Sequence, residues 1–301
     1  MQLPKNFIKN VRRIYGDIGE KWLVQLPNII QESISNWKIH DYKLMNNFSN
    51  AVIFGISDLY GDIVLKICID RETEINSYVK LGQRDLCKMH DYYLPYGALL
   101  LERLVANKDL TSVSSEDERI RVASEMMLSI PSPASANLEF GEYLPRFERT
   151  FSKAQNNNRS SSELLEIILI AKKQLVQIQK LERPLYLLHG DLHHENILQS
   201  YSKDWKAIDP QSVIGCQFQE SSRFIINQVR MTEPDEKNAS LVKMVSKFAD
   251  IFHEEPFTIL KNAFIDHVQI VCYMNECNDD KSDILKALND CHVYLDVMKS
   301  Y

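Results

Sequence analysis

A chain of 301 residues with 45% hydrophobic and 25% charged content has the make-up of an ordinary globular protein, long enough for two substantial cores. Its formal charge of −6 argues against a nucleic-acid partner, which favours a basic face. No apolar run reaches the roughly 18 residues of a membrane span, and no signal-peptide core follows Met1, so a cytoplasmic chain without membrane partners is expected. The six cysteines (Cys68, Cys87, Cys216, Cys272, Cys277, Cys291) form no C-x-x-C pair and read as buried thiols in a reducing compartment.

The first 38 residues read as helix, with Phe7, Val11, Ile14 and Ile18 at helical spacing and a second amphipathic stretch from Pro27 to Trp37. From Lys38 to Asp70 the pattern turns to strands. Val52 to Ile56 and Ile63 to Ile67 flank a hairpin-like turn at Asp58 to Asp62. A helix is predicted from Arg71 to about Leu81, and Gly97 to Leu104 reads as a buried strand leading to a connector. Past residue 105 helices dominate. Ser114 to Asp117 can cap one that Pro131 stops. Ser160 with Glu163 is a capping-box candidate for another, which carries Leu164, Ile167, Ile168, Ala171, Leu175 and Ile178 on its apolar face and ends at Pro184. Residues 236 to 301 predict three more helices. The expected class is therefore α+β and bilobal: residues 1–104 an N-terminal lobe, helical at its start and then sheet-bearing, and residues 105–301 a mostly helical C-terminal lobe.

Near the start of the second lobe stands His189-Gly190-Asp191-Leu192-His193-His194-Glu195-Asn196, between the apolar runs Leu185 to Leu188 and Ile197-Leu198. That is the H-x-D-x-x-x-x-N spacing of a kinase catalytic loop, with Gly where Arg is usual. In such a loop the Asp accepts the proton of an attacking hydroxyl and the Asn holds Mg²⁺ on phosphate oxygens. A rival reading uses the same residues differently, since His189, Asp191, His193 and His194 are good transition-metal ligands in an order close to that of metallohydrolases.

The surroundings favour the kinase. Lys66, flanked by apolar residues on a predicted strand, can set its ammonium over the α- and β-phosphates of a nucleotide. Glu74, eight residues on, can orient it, with Glu72 as competitor. Asp209 lies thirteen residues beyond Asn196, at the position of the metal-binding Asp, with D-P-Q in place of D-F-G. Pro210 predicts extended backbone angles for Asp209. No G-x-G-x-x-G precedes Lys66; the corresponding turn is Asn46 to Asn50. There is no A-P-E, so the acceptor is expected to be a small molecule rather than a protein.

With these residues in place the chain resembles the aminoglycoside/hydroxyurea resistance kinase family from about residue 20 to 275. The resemblance rests on Trp22-Leu23-x-x-Leu26-Pro27, Gly97 to Leu104, His189 to Leu198, Ala207 to Pro210 and Arg223 to Asn227. It implies a protein-kinase-like, aminoglycoside-phosphotransferase-like fold with a small antiparallel sheet in the N-terminal lobe and nucleotide between the lobes. It implies Asp191 as base and Asn196 and Asp209 as Mg²⁺ ligands. Lys66, Glu74, Asn50, Leu101, Glu102, Arg103 and Leu104 would serve the ATP or GTP, and His189 would brace the loop. His193 and His194 would pack the loop rather than bind metal. The implied acceptor is an aminoglycoside-type antibiotic, streptomycin first, with hydroxyurea or another small metabolite as alternatives, and a non-catalytic nucleotide-binding module is the remaining one. Gln211 and Ser212 depart from the family where the acceptor pocket is expected, as do Gly215 to Glu220. From Asp250 to the end ten acidic residues face four basic ones, a balance that suits a cationic acceptor; Glu254, Glu255, Asp266, Glu276, Asp279 and Asp280 are its candidates. A monomer or weak dimer is expected.

Overall fold

The structure, a computed structural model, describes residues 3–82, 84–134 and 140–301. It divides into two compact units, Met1–Lys108 with Leu198–Pro210, and Asp109–Ile197 with Gln211–Tyr301.

The first unit opens with α1 (Lys5–Asn36), kinked at Gly16, whose φ of 53° and ψ of −130° suit glycine alone. The kink resets the buried face. Phe7 and Val11 are buried as expected, but Ile18 is 68% exposed, and burial resumes at Trp22, Leu26 and Ile30. A five-stranded antiparallel sheet follows, in the order β1 (Ile39–Leu44), β2 (Ala51–Ser57), β3 (Gly61–Ile67), β5 (Ala98–Glu102), β4 (Met89–Tyr93). β4 carries the polar sequence MHDYY at the sheet's edge and shows no apolar alternation, so the sequence pattern passes over it.

On β3 the two-residue period sorts the faces. Ile63, Leu65 and Ile67 pack with Trp22, Leu26 and Ile53. Val64 turns the other way, toward Leu99, Leu101 and α2 (Arg71–Leu81). Lys66 shares its parity. Residues 198–210 close this second cluster: Leu198 and Ile208 join it, and Cys87 N–H donates to the Ala207 carbonyl at 2.8 Å. These residues, like 105–108, stand in the first unit, whereas the sequence pattern groups 105–301 together.

The second unit is mostly helical. In α3 (Glu116–Ser129) the Ser115 hydroxyl caps the Glu118 N–H at 3.3 Å. α4 (Tyr143–Gln155) precedes α5 (Ser162–Gln179), whose N-cap is Ser161, accepting from Leu164 N–H at 3.1 Å. Ser160 instead donates to the Ala154 carbonyl, so the expected capping box does not form. A short antiparallel sheet joins β6 (Ser132–Pro133), β7 (Leu185–Leu188) and β8 (Val213–Cys216), with β7 central. The octet His189 to Asn196 leaves β7 directly. Helices α6 (Ser221–Met231), α7 (Lys237–Phe252), α8 (Pro256–Glu276) and α9 (Lys281–Met298) complete the unit around buried Phe147, Phe224, Phe248 and Phe264. The last three are the three helices predicted from residue 236 on. Among the described residues no helix is long and apolar enough to cross a membrane. All six cysteines are free, and all but half-buried Cys277 are buried.

Candidate active site

Three charged side chains meet on the β3–α2 side of the first unit. Lys66 is only 2% exposed, and an ammonium without partners there would be costly. It pairs with the Glu74 carboxylate, and its Nζ lies 3.0 Å from Asp209 Oδ1. Burial pushes the Lys66 pKa down, but Asp209 and Glu74 outweigh it and hold the group well above the usual lysine value. The helix supplies the selection: Glu74 falls on the buried face of α2 and Glu72 on the exposed one.

Asp209 departs from expectation. Its φ is +57°, in the left-handed region rather than the extended one that Pro210 favours. A non-glycine residue there costs about 1–2 kcal/mol, and two contacts hold it: the Asp209 N–H donates to the Tyr78 hydroxyl at 3.3 Å, and Oδ1 accepts from Lys66. Local strain of this kind is tolerated where the surroundings over-determine it. Oδ2 has no partner among the described residues. Elsewhere in the unit, Leu101 and Leu104 are buried at the end of β5 and beyond it. The Glu102 carboxylate accepts Lys88 N–H at 2.7 Å, and the Arg103 guanidinium lies 4.8 Å from the Phe54 ring centroid. Asn50 is half-buried where the chain enters β2.

In the second unit the octet is braced from behind. Gly190 has a φ of +80°, and a Cβ on it would stand 2.4 Å from Val213 Cγ1, which explains why no side chain replaces it here. Fully buried Glu220 accepts His189 N–H at 2.7 Å and Gly190 N–H at 2.9 Å. Burial, opposed by these two N–H groups, raises its pKa to about 7. His189, also buried, accepts Asp191 N–H on Nδ1 at 3.3 Å, and its carbonyl takes the Gln211 and Ser212 N–H groups. His194 stacks on Phe224 at 4.0 Å between centroids and meets Gln228 at 3.0 Å, with burial lowering its pKa to about 3. His193 caps the Glu195 N–H at 3.3 Å. His193 Nε2 also lies 3.7 Å from Asp191 Oδ2, but among the described residues no three His, Cys, Asp or Glu side chains group as a metal site.

Asn196 reaches back across the turn, its Nδ2 donating to the Asp191 carbonyl at 2.9 Å and standing 3.4 Å from Asp191 Oδ2. This fixes the amide and leaves its oxygen without a hydrogen bond among the described residues. That oxygen and Asp209 Oδ2, each within its own unit, are hard donors of the type Mg²⁺ prefers. Oxygen donors of this kind suit Mg²⁺ better than zinc, which favours nitrogen and sulfur.

Asp191 opens on a cavity of about 340 Å³ lined by, among others, Arg146, Thr150, Gln211, Arg223 and Gln269. Arg223 Nε lies 3.7 Å from Asp191 Oδ1 and 3.3 Å from Asp266 Oδ2. Asp266 is fully buried and also accepts from Tyr143 at 3.0 Å and Arg146 at 3.4 Å. Of the acidic residues suggested for a cationic acceptor, Asp266 alone stands beside Asp191, and it is neutralised there. Glu254 pairs with Arg183 and Glu276 with Lys153. Sequence reasoning missed Glu220, Arg146 and the site role of Arg223. The polar run Gln217 to Ser222 looks solvent-facing, and only the fold reveals that most of it is buried.

Residues 88–262 match the sequence model of the aminoglycoside/hydroxyurea antibiotic resistance kinase family. The chain belongs to this family. As an antibiotic-resistance kinase of this family it is a phosphotransferase acting on hydroxyl groups. A streptomycin 6-kinase of Streptomyces glaucescens is 25% identical over 231 residues, covering 71% of each chain. A hydroxyurea phosphotransferase of Kitasatospora aureofaciens is 24% identical over 224 residues, 71% of this chain and 65% of the other. Among solved structures, the choline kinase LicA of Streptococcus pneumoniae superposes with a TM-score of 0.66 at 14% identity, over 92% of this chain and all of its own. The aminoglycoside phosphotransferase APH(4)-Ia gives 0.67 at 12% identity, over 90% and 99%. The fold is thus the kinase-like fold of this family, with an antiparallel-sheet N-terminal lobe and a helical C-terminal lobe.

Proposed function

We propose that this resistance-kinase family member moves the γ-phosphoryl group of ATP or GTP, bound as its magnesium complex, to a hydroxyl of a small molecule. The observation that carries this reading is the buried Lys66 ammonium held between Glu74 and Asp209. A cation so fixed is pre-organised for phosphate oxygens, and electrostatic positioning is the main catalytic resource in phosphoryl transfer.

The roles follow from charge. Asp191 takes the proton of the acceptor hydroxyl as its oxygen bonds to the γ-phosphorus. The bond from that phosphorus to the β,γ-bridging oxygen breaks, and the nucleoside diphosphate leaves. Asn196 and Asp209 are the residues to hold Mg²⁺, which neutralises charge on the phosphate oxygens when bound. Lys66 fixes the phosphates and Glu74 orients Lys66. Leu101 to Leu104 and Asn50 belong to the nucleotide side, with the Leu101–Leu104 backbone facing the base, and His189 with Glu220 keeps the Asp191 loop in shape. The fixed loop and intact Lys66, Asp191, Asn196 and Asp209 favour turnover over a non-catalytic nucleotide-binding role.

Streptomycin, the acceptor named for the relative at 25% identity, and hydroxyurea are the reference acceptors. The test is a transfer assay with Mg-ATP and Mg-GTP against streptomycin, other aminoglycosides, hydroxyurea and simple polyols and hydroxy acids. Transfer to at least one hydroxyl is expected. A protein that binds no nucleotide and phosphorylates none of them overturns the proposal.

A further inference from the structure

Building on the kinase reading, we infer that the acceptor carries an oxyanion, a carboxylate or phosphate, beside the hydroxyl that Asp191 deprotonates, and that Arg223 and Arg146 hold it. Three observations converge. First, the cavity onto which Asp191 opens has two guanidinium groups in its lining and, among the described residues, no carboxylate other than Asp191 itself. Second, these arginines have donors to spare. Arg223 lies within ion-pair distance of Asp191 and Asp266, yet its buried Nε makes no hydrogen bond and neither Nη has one to the described residues. Arg146 gives one Nη to Asp266, while its buried Nε makes no hydrogen bond to the described residues.

Third, the guanidiniums are held in place, as a recognition site requires. Buried Asp266 lies behind both and is itself anchored by the Tyr143 hydroxyl at 3.0 Å. The Arg146 guanidinium also stacks 4.2 Å from the Tyr143 ring centroid. Asp266 thereby fixes two cations from a buried position. Arginine in such a fixed fork is suited to carboxylate and phosphate oxygens. Thr150, Gln211 and Gln269 add neutral hydrogen-bonding groups to the same wall, fitting a polar, hydroxylated body. Among the described residues, none of the acidic side chains of the C-terminal helices lines this cavity.

The test uses the full chain with Mg-ATP and acceptors that differ in charge: gluconate, glycerate and glycerol phosphate as anions, glycerol and inositol as neutrals, streptomycin as cation. Carboxylate and phosphate arms separate the two oxyanion sources. The expected result is transfer to an anion with kcat/KM at least about 10-fold above its neutral counterpart, the scale of one charge-assisted hydrogen bond. Arg146→Gln should raise KM for that anion by about 10-fold or more while leaving KM for Mg-ATP unchanged. Arg223→Lys, which keeps the charge beside Asp191, should raise the same KM less. A purely structural role would lower the melting temperature without this split between acceptor and nucleotide. Transfer to streptomycin or neutral polyols with no preference for anions overturns the inference and leaves the kinase intact. So does Mg-ATP binding without transfer to any anion. Absence of Mg-ATP binding is a different failure, that of the kinase reading itself.

Discussion

Glu220→Gln and Glu220→Ala test how the catalytic loop is held. The wild-type carboxylate accepts two backbone N–H groups, from His189 at 2.7 Å and Gly190 at 2.9 Å, in a fully buried setting. Hydrogen bonds to a charged partner contribute roughly 1.5–3 kcal/mol each, and a buried N–H left unpaired costs about 1–3 kcal/mol. The alanine variant strands both donors and should lose about 3–5 kcal/mol; glutamine still serves one and should lose about 1–3 kcal/mol. Both free energies are measurable from urea midpoints at constant m-value. Because the loop carries Asp191, a displacement on the order of 1 Å should also lower kcat by about 10²-fold with KM for nucleotide little changed. The pH dependence adds a second readout. With the folded pKa at about 7 against an ordinary 4.5, the folded chain keeps a proton that the unfolded chain releases between these values. Glu220 therefore makes stability fall as pH rises from 4.5 to 7, by on the order of 3 kcal/mol. Over the upper part of that range kcat should rise, as the ionised carboxylate takes both N–H groups, and this limb should vanish in Glu220→Gln. A glutamine variant with wild-type stability, kcat and pH profile would refute the reasoning.

Lys66→Met should cut kcat by about 10²–10³-fold, the scale of one lost electrostatic contact in a transition state, and weaken nucleotide binding, as steady-state kinetics and calorimetry would register. Chelation of divalent cations should abolish transfer, Mg²⁺ should restore it, and metal analysis should find no stoichiometric zinc. His194, held near pKa 3 by burial, stays neutral while the unfolded chain takes up its proton near 6.5. Stability should therefore fall as pH drops from about 6.5 toward 3, and His194→Phe should flatten that part of the urea-midpoint profile.

The candidate site was legible wherever chemistry imposes spacing along the chain. The octet, Lys66 on a strand and Asp209 thirteen residues past Asn196 are local patterns, while Glu74 is preferred to Glu72 through the family resemblance and lies on the buried face of α2. The parts that escaped depend on folding. Gly16 interrupts the register of α1, so Ile18 reads as core and lies in solvent. Asp209 takes a left-handed φ against the preference Pro210 imposes, because Tyr78 and Lys66, 131 and 143 positions away, hold it. Arg146, Arg223 and Asp266 come from three separate helices, and no one-dimensional pattern announces that they meet beside Asp191. The acidic tail suggested a cationic acceptor by composition alone, whereas the fold pairs Glu254 and Glu276 with basic side chains and buries Asp266 behind two arginines.

The most direct test of the central claim is phosphorus NMR of the reaction with Mg-ATP and a competent acceptor, run on the wild type and on Asp191→Ala. In the wild type a phosphomonoester should appear in step with ADP. In the variant the rate should be lower by about 10²–10⁴-fold, the usual contribution of a general base, with nucleotide binding retained. A phosphomonoester formed at the wild-type rate by Asp191→Ala, or inorganic phosphate as the only product of the wild type, would contradict that claim.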